Sequence, residues 1–573
     1  MSTAPLRSPP SLRLAWLALI ALAVLVRWAA WSSIGGEVWA ENPTVDAWTY
    51  LQQTRVLFNG GDPFADGLYQ PPGLPWLMHL EHWLVGADEV GTAVPRAFNL
   101  LFGLLTTLGL AAIGERIRPW LGFVAAAAYT LYPRTLLFEL DLLTPAATSV
   151  LLVAALFVYR RSWWGAGLAG LAMGAAIVVH PTLLLAAAVF ALALRDNVRA
   201  VGPFVLGVVL MLGPTMKRNA DAGHFALVSH NAGLNFYLGN NADWLETAFL
   251  RPGISFRKLV VEADPANRDQ YERNDWWIER AKGDISDAPA RWVGTLATKA
   301  LWSVNNREVP RNEDYRCRTR AGPLRWIGLL PIRYGLVFPL AVVGAFVCLS
   351  RRRWELPALW LALQAPMVLF LVADRYRMAT LPVMLLLAAL GGERLLGAAK
   401  ALSWPVWALA AALGVVSFWP IHHVTAMHEG WCVHQDANEA MTLGDVAAAR
   451  DLYEEASRLE PEQLGHWYWL GEARARTQDP EGAVAAWDHV LEDYPDHYPT
   501  LIAAARESGR LGRFSAAADY QGLACAIPGP RTNTCARYVE LLFKARRVDE
   551  ARAVLDQQPE LREHEKVRGL LHD

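Results

Sequence analysis

The feature that most constrains the fold is a series of apolar segments that occupies the first 420 residues. A helix needs about 20 apolar residues to cross a bilayer. Eleven segments reach or approach that length: 12–33, 96–114, 120–136, 142–159, 163–179, 182–194, 200–215, 332–350, 354–372, 377–395 and 403–420. The sequence therefore predicts an all-α fold with a polytopic transmembrane domain of about eleven spans, some of them short.

The basic residues between these segments predict the orientation of the domain. A single helix over 163–194 would be roughly 48 Å long against a hydrocarbon core of about 30 Å, and His180-Pro181 favours a break. With that break, the basic clusters from Arg7/Arg13 to Arg394/Lys400 all lie on one side, which is predicted to be cytoplasmic. The loops 34–95 and 216–331, and everything after residue 420, are then predicted to lie outside. The first apolar run lacks a small-residue cleavage site, so it is predicted to be a retained anchor.

A change of composition after Pro420 indicates a second domain. Hydrophobic residues make up 53% of the chain, but beyond this point Ala, Glu, Asp and Arg dominate. A period of 34 residues links Ala449, Ala483, Ala517 and Ala551, and also the turn residues Gly444, Gln478, Gly512 and Arg546. This spacing is typical of tetratricopeptide repeats. We predict a membrane domain at 1–425 and an α-solenoid of about four such repeats at 430–573, with a surface for a protein partner and no catalytic signal.

The first outer loop carries the most distinctive candidate site. Asp46 precedes Trp48, Leu51 and Phe58, whose spacing predicts a helix lying on the bilayer. Glycines and a proline end that helix, and Tyr69 with a Pro-Pro-Gly turn leads into a second apolar helix. A lone Asp in a loop is most often a solvated turn residue. The alternative is that Asp46 is a functional carboxylate held at the lipid–water boundary.

Three further outer segments carry charged candidates. Arg375 and Arg377 lie in a turn before a late span, where they either bind an anion such as a lipid phosphate or only extend towards water. Arg218 follows the end of another span and is a second candidate for the phosphate. Glu139 and Asp141 are two residues apart, and with a third oxygen ligand they could chelate a hard divalent metal.

These motifs, taken in order, resemble the C-type (GT-C) glycosyltransferase superfamily of membrane enzymes that use polyprenyl-phosphate sugars. The resemblance rests on Asp46 with the Tyr69-x-Pro-Pro motif, on segment 213–241, on EVPRNEDY at 308–315 and on FLVADRYRMATLP at 370–382. The superfamily includes protein O-mannosyltransferases and lipid A aminoarabinose transferases. The sequence departs from the pattern at Pro145, where several branches have Glu, and at His180, where Arg is expected before Pro.

The resemblance implies a function and roles for the candidate residues. Asp46 would be the general base, and Arg375, Arg377 and Arg218 would bind the donor phosphate. Glu139, Asp141 and Tyr69 would contact substrate or metal. One base without a second carboxylate nucleophile implies inversion at the anomeric carbon. The expected reaction moves a sugar from a polyprenyl-phosphate donor to a hydroxyl of a glycan, glycolipid or protein, at the periplasmic face of a bacterial inner membrane.

Other functions remain open from the sequence. No nucleotide-binding fingerprint is present, which argues against a nucleotide-sugar donor, and nothing points to nucleic acid. An O-antigen ligase or polymerase is one alternative. A transporter or a non-enzymatic scaffold presenting the repeats is another, although a transporter would carry ionisable residues in mid-span, of which we find almost none. Cys525 and Cys535 fall on consecutive helices, so a disulfide and simple packing as small hydrophobes are equally expected.

Overall fold

The computed structural model describes residues 10–118, 120–159, 162–263, 269–397, 404–420, 429–529 and 531–571, and every regular element in these ranges is a helix. By internal packing the chain divides into one unit of residues 1–250 and 266–424, and another of residues 251–265 and 425–573. The sequence did not indicate that 251–265 packs with the C-terminal unit. Outside the described residues lie four of the basic residues, Arg7, Arg160, Arg161 and Lys400. Part of the predicted domain boundary at 425–430 lies outside them as well.

The apolar helices of the first unit coincide with the eleven predicted segments. They are Pro10–Ser33, Ala93–Ile117, Leu121–Thr130, Pro133–Glu139, Pro145–Val158, Trp163–Val179, Pro181–Leu183, Leu184–Ala193, Val198–Asp221, Tyr334–Ser350, Glu355–Leu369, Asp374–Gly397 and Trp404–Phe418. Four are long and apolar enough to cross a membrane, or five if Leu121–Thr130 and Pro133–Glu139, bent by 61°, form one span. The other apolar helices of the described chain have 10–17 residues. The chain is thus all-helical with several apolar helices, and the count of eleven spans stays a prediction.

The predicted break at His180-Pro181 is confirmed. Helix Trp163–Val179 ends there, His180 is extended, and a short 3-10 turn begins at Pro181. Glycines set the packing of this helix against Val198–Asp221, because a Cβ on Gly170 would lie 2.1 Å from the carbonyl oxygen of Phe204. Two backbones approach this closely only where small residues face each other.

Shorter helices connect the apolar ones. They are Val38–Glu41, Val45–Phe58, Gly73–Leu84, Ala232–Asn240, Trp244–Phe249, Gln270–Asp287, Pro289–Val304, Tyr315–Arg320 and Arg325–Gly328. The helix predicted after Asp46 and the second helix after the Pro-Pro-Gly turn are both confirmed, at Val45–Phe58 and Gly73–Leu84. A Cβ on Gly73 would lie 2.6 Å from the backbone nitrogen of Val179, so only glycine permits this close approach.

The second unit contains helix Ile254–Ala263 and an array of helix pairs. The pairs are Glu429–Thr442 with Val446–Leu459, Leu464–Arg476 with Pro480–Asp493, Tyr498–Arg510 with Phe514–Ala526, and Thr532–Lys544 with Val548–Gln557. Short helical turns follow, at Pro559–Glu563, Glu565–Arg568 and Gly569–Leu571. The four alanines at the 34-residue period are fully buried, and a disulfide joins Cys525 to Cys535 on consecutive helices. The repeating helix pairs follow the predicted period, while their assignment as tetratricopeptide repeats stays a prediction.

The turns inside the pairs impose the same left-handed backbone at every repeat. The residue at this position has φ of 84° at Gly444, 64° at Gln478, 72° at Gly512 and 59° at Arg546. Glycine adopts this conformation without the steric cost that a Cβ brings. Two of the four repeats therefore carry a strained residue at a position where the other two carry glycine.

Replacing one strained residue should stabilise the array. We expect Gln478→Gly to raise the stability of the purified full chain by about 0.5–1 kcal/mol, because the left-handed strain is removed while some unfolded-state entropy is added. The change is measured by heating the protein and using limited proteolysis of the second unit to monitor its unfolding at each temperature. The matched control is Gly512→Ala, which should lower the stability; a destabilising Gln478→Gly would show that the side chain matters more than the backbone.

Candidate active site

The carboxylate of Asp46 is the meeting point of four distant segments. It lies in the first turn of helix Val45–Phe58. Its Oδ2 accepts hydrogen bonds from Arg375 NH1 at 2.5 Å and from Asn312 Nδ2 at 3.0 Å, and its Oδ1 accepts one from Gln70 Nε2 at 3.0 Å. The Asp46 and Arg375 side chains remain 19% and 16% exposed. Asp46 is therefore held in place by three donors and is still accessible to a small ligand.

The backbone just before the carboxylate is strained. Val45 has φ of 52°, a left-handed value that is rare for a β-branched residue. Such conformations cost about 1–3 kcal/mol and persist only where surrounding contacts enforce them. This strained residue directly precedes Asp46, the residue that makes those contacts with the other segments.

The electrostatic surroundings keep Asp46 ionised. Burial alone would raise the pKa of Asp46, but the Arg375 guanidinium and the hydrogen bonds from Arg375, Asn312 and Gln70 together lower it below its ordinary value. Burial, and then the charge of Asp46, raise the pKa of the Tyr69 phenol. At neutral pH the site therefore presents a charged carboxylate beside a protonated tyrosine.

Arg375 is positioned by the segment that also carries Asn312. It is the second residue of helix Asp374–Gly397. The backbone N–H of Asp374 donates to the carbonyl oxygen of Val309 at 2.9 Å, which ties the start of the helix to the chain three residues before Asn312. The Arg375 guanidinium also lies 5.2 Å from the Tyr376 ring. The hydrogen bond from Asp374 to Val309 fixes the two segments that donate to Asp46 Oδ2 relative to each other.

Arg377 has different partners from Arg375. Its side chain is 2% exposed, its NH2 donates to the carbonyl oxygen of Trp302 at 2.5 Å, and its guanidinium lies 4.3 Å from the Tyr334 ring. The structure therefore does not bring the two arginines to one point. A role of Arg377 in phosphate binding stays a prediction.

Arg218 contacts the loop between helices Val45–Phe58 and Gly73–Leu84. It forms an ion pair with Asp62, and its Nε donates to the carbonyl oxygen of Phe64 at 3.1 Å. These contacts join the end of helix Val198–Asp221 to the loop that carries Tyr69. Arg218 is not among the described hydrogen-bond partners of Asp46.

Glu139 and Asp141 belong to separate networks. Glu139 Oε1 lies 2.8 Å from Arg27 NH2, in a buried ion pair. Asp141 Oδ2 accepts a hydrogen bond from the Tyr315 hydroxyl at 2.6 Å, and burial, with Glu313 nearby, raises the pKa of Asp141 to about 6. An ion pair with arginine opposes cation binding at Glu139. These contacts do not fit a metal held jointly by the two carboxylates.

The sequence reasoning missed three residues that the structure makes prominent. Gln70 and Asn312 lie inside motifs that it did quote, but it gave them no role. Arg27 lies inside the apolar helix Leu12–Ser33 and pairs with Glu139, so it is an exception to the near absence of ionisable residues in mid-span. A charge inside an apolar run is the signal that could have found Arg27, since such residues are rare and nearly always paired.

Comparison with known proteins finds a likeness in structure but none in sequence. No protein-family model matches the sequence, and no curated protein sequence matches it either. A crystal structure of ArnT from Cupriavidus metallidurans bound to undecaprenyl phosphate is similar over 95% of this chain and 88% of that chain, with 16% sequence identity and a TM-score of 0.37. At that identity and TM-score the likeness transfers no function to this chain.

Proposed function

We propose that this protein is an inverting membrane glycosyltransferase that moves a sugar from a polyprenyl-phosphate donor to a hydroxyl acceptor. The observation that carries the proposal is the ionised Asp46 carboxylate held against Arg375 by Asn312 and Gln70. A base next to a fixed cation is what the reaction requires, because a proton leaves the acceptor while negative charge develops on the departing phosphate.

In the proposed reaction Asp46 accepts the proton of the acceptor hydroxyl. The acceptor oxygen forms a bond to the anomeric carbon from the face opposite the phosphate. The bond between that carbon and the phosphate oxygen breaks, and both of its electrons leave with the polyprenyl phosphate. One displacement of this kind inverts the anomeric configuration.

Arg375 can serve the base and the leaving group together. A guanidinium presents five N–H donors in a planar fork. Arg375 NH1 is engaged by Asp46, while its Nε is buried and has no hydrogen-bond partner. That atom is closed to solvent, so a donor phosphate would contact the part of the Arg375 side chain that remains 16% exposed. We therefore assign the donor phosphate to Arg375 first, with Arg377 and Arg218 as further candidates.

A transporter or scaffold is the second candidate, and one observation favours it. The buried pair of Arg27 and Glu139 places two ionisable groups among apolar helices, where such residues often mark a pathway. Each neutralises the other, however, and Glu139 lies against Gly103, where a Cβ would be only 1.9 Å from its Oε1. Such tight enclosure suits a structural pair better than a pathway. An O-antigen-type ligase stays an alternative for the acceptor chemistry.

Transfer by the purified protein tests the proposed function. The full chain is incubated with sugars labelled on polyprenyl phosphate, and in parallel with labelled nucleotide sugars, together with a panel of glycan and peptide acceptors. We expect release of polyprenyl phosphate coupled to label on an acceptor, and no use of the nucleotide sugars. Transport of the intact lipid without cleavage would instead favour the transporter.

We further propose that Asp46 and the repeats both lie on the outer face of a bacterial inner membrane, where the repeats hold a protein acceptor or another envelope-glycan enzyme. The charge distribution between the apolar segments supports this orientation. Deleting 430–573 would separate the two roles, since loss of transfer to protein alone would indicate acceptor recognition.

Cysteine labelling measures the orientation directly. Cys348 is the free cysteine of the described residues, so Cys348→Ala provides the background. Glu492, with a side chain 76% exposed in the repeats, is changed to Cys, and Arg353→Cys in the predicted cytoplasmic loop is the control. With an impermeant maleimide on cells whose outer layer is permeable, we expect Glu492→Cys to label before lysis and Arg353→Cys only afterwards. The reverse order would contradict the orientation.

A further inference from the structure

A cavity of about 320 Å³ lies in the first unit, apart from the residues that touch Asp46. Four guanidinium groups line it, from Arg134, Arg307, Arg316 and Arg333, together with the single carboxylate of Glu308. We call it the arginine cavity. Like charges in one cavity lining repel one another, and a bound anion would reduce that repulsion. The composition of the wall therefore indicates an anionic ligand.

The carboxylate of the wall is already engaged. Glu308 forms an ion pair with Arg134 and accepts a hydrogen bond from the Tyr132 hydroxyl at 2.7 Å. Arg316 forms an ion pair with Asp314, in which Arg316 NH2 lies 2.9 Å from Asp314 Oδ2. Glu308 is thus not free to neutralise the other arginines of the wall.

Arg333 is the clearest uncompensated charge. Its NH2 donates to the carbonyl oxygen of Gly328 at 2.7 Å, and its NH1 donates to carbonyl oxygens of Leu330 and Ile332. Carbonyl groups satisfy hydrogen bonds but carry no charge. In the same lining, NH1 of Arg134 is closed to solvent and has no hydrogen-bond partner. Arg333 therefore keeps a charge that an anion in the cavity can neutralise.

The size of the cavity fits a phosphate-bearing group. Small-molecule pockets begin at about 300 Å³, whereas one water takes about 30 Å³. The cavity would hold a phosphate or pyrophosphate with part of the group attached to it. Arginine is the side chain that best matches the geometry of such oxyanions.

The cavity is connected to the Asp46 site by a short piece of backbone. Glu308 lies in the cavity wall, and Asn312, four residues later, donates to Asp46. Four residues span at most about 14 Å. A ligand in the cavity could therefore belong to the same substrate, or to the second substrate, of a reaction at Asp46.

We propose that the arginine cavity binds a phosphate or pyrophosphate group of a substrate, at a subsite separate from the Asp46–Arg375 pair. The assignment to a substrate rests on the proposed function; the binding of the anion does not. The phosphate can come from a phosphorylated acceptor or from the lipid donor, which share this chemistry; in the second case the donor phosphate would lie in the cavity instead of at Arg375.

Calorimetry with inorganic pyrophosphate on the purified full chain tests the site. We expect saturable binding by the wild type, weakened about 10- to 100-fold in Arg333→Gln, as for loss of a hydrogen bond to a charged group. Thr319→Asp adds a negative charge to the same wall and should weaken pyrophosphate binding similarly. It serves as the test variant if Arg333→Gln fails to fold. Lys217→Gln removes an exposed positive charge outside the cavity and should bind as the wild type does.

The same variants separate the two sources of phosphate. A KM raised only for the lipid donor would place the donor phosphate in the cavity, and a KM raised only for a phosphorylated acceptor would place the acceptor there. Failure of the wild type to transfer any sugar would refute the proposed function while leaving the pyrophosphate result intact. Undetectable pyrophosphate binding, or equal affinity in the wild type, Arg333→Gln and Thr319→Asp, would overturn the subsite.

Discussion

Asp46→Asn should lower kcat for sugar transfer by about 100-fold or more, while the protein is still made and still folds. General bases contribute roughly 10²–10⁴ in rate, and an amide cannot take the proton of the acceptor hydroxyl. The asparagine keeps the shape of the side chain and an oxygen that can accept from Arg375, so the architecture should survive. Initial rates at saturating donor and acceptor measure the effect.

The control for this substitution lies in the same predicted outer loop, 34–95. Asp88 is exposed, and Asp88→Asn removes the same charge without touching the site. We expect it to transfer sugar at close to the wild-type rate. Near-normal turnover by Asp46→Asn, in protein that unfolds at the wild-type temperature, would remove Asp46 from the mechanism.

Arg375→Met should reduce kcat/KM by about 10²–10³, the range found when one group that stabilises developing negative charge is lost. It should also change the pH dependence. In the wild type the pKa of Asp46 is lowered, so the base is ionised at neutral pH and activity is lost only as the pH falls through that low value. Without Arg375, burial is opposed only by Asn312 and Gln70, so the pKa of Asp46 should rise.

The acid limb of kcat/KM should therefore move to higher pH in Arg375→Met. Rates measured between about pH 4 and 8 show the shift. Arg375→Lys keeps the charge but lacks the planar fork, so its acid limb should stay low while its affinity for the donor falls. An unchanged limb in Arg375→Met would mean that Arg375 does not set the charge state of Asp46.

Much of the fold follows from local sequence physics. The break at His180 follows from the missing N–H of Pro181 and from the length of the apolar run. The helices on either side of the Pro-Pro-Gly turn follow from the spacing of apolar residues. The helix pairs of the second unit follow from the 34-residue period, which reappears in the left-handed turns at Gly444 and its three equivalents.

The composition of the candidate site was harder to predict. Arg375 and Arg377 were assigned together to one phosphate, yet they occupy one helix, Asp374–Gly397, two residues apart. At 3.6 residues per turn, such residues face roughly opposite sides. That geometry explains why one meets Asp46 and the other meets Trp302. Distinguishing the two arginines from the sequence would have required knowing that a helix begins at residue 374.

Polar contacts between residues far apart in the sequence were also not predicted. Gln70 and Asn312 are ordinary loop residues in the sequence, and only the fold brings them to Asp46. The pair of Arg27 and Glu139 joins residues 112 positions apart. Averaged hydropathy concealed Arg27, because one cation hardly changes the mean of a long apolar segment. Periodicity identifies elements, but it does not identify which side chains meet between them.

The central claim is that Asp46 and Arg375 act as one unit, and a double-mutant cycle tests it most directly. We would measure kcat/KM for transfer from the polyprenyl-phosphate donor by the wild type, Asp46→Asn, Arg375→Gln and the double variant. Groups that act together lose function non-additively. We predict that the double variant is about as slow as the slower of the two single variants. A loss equal to the product of the two single losses would contradict the claim.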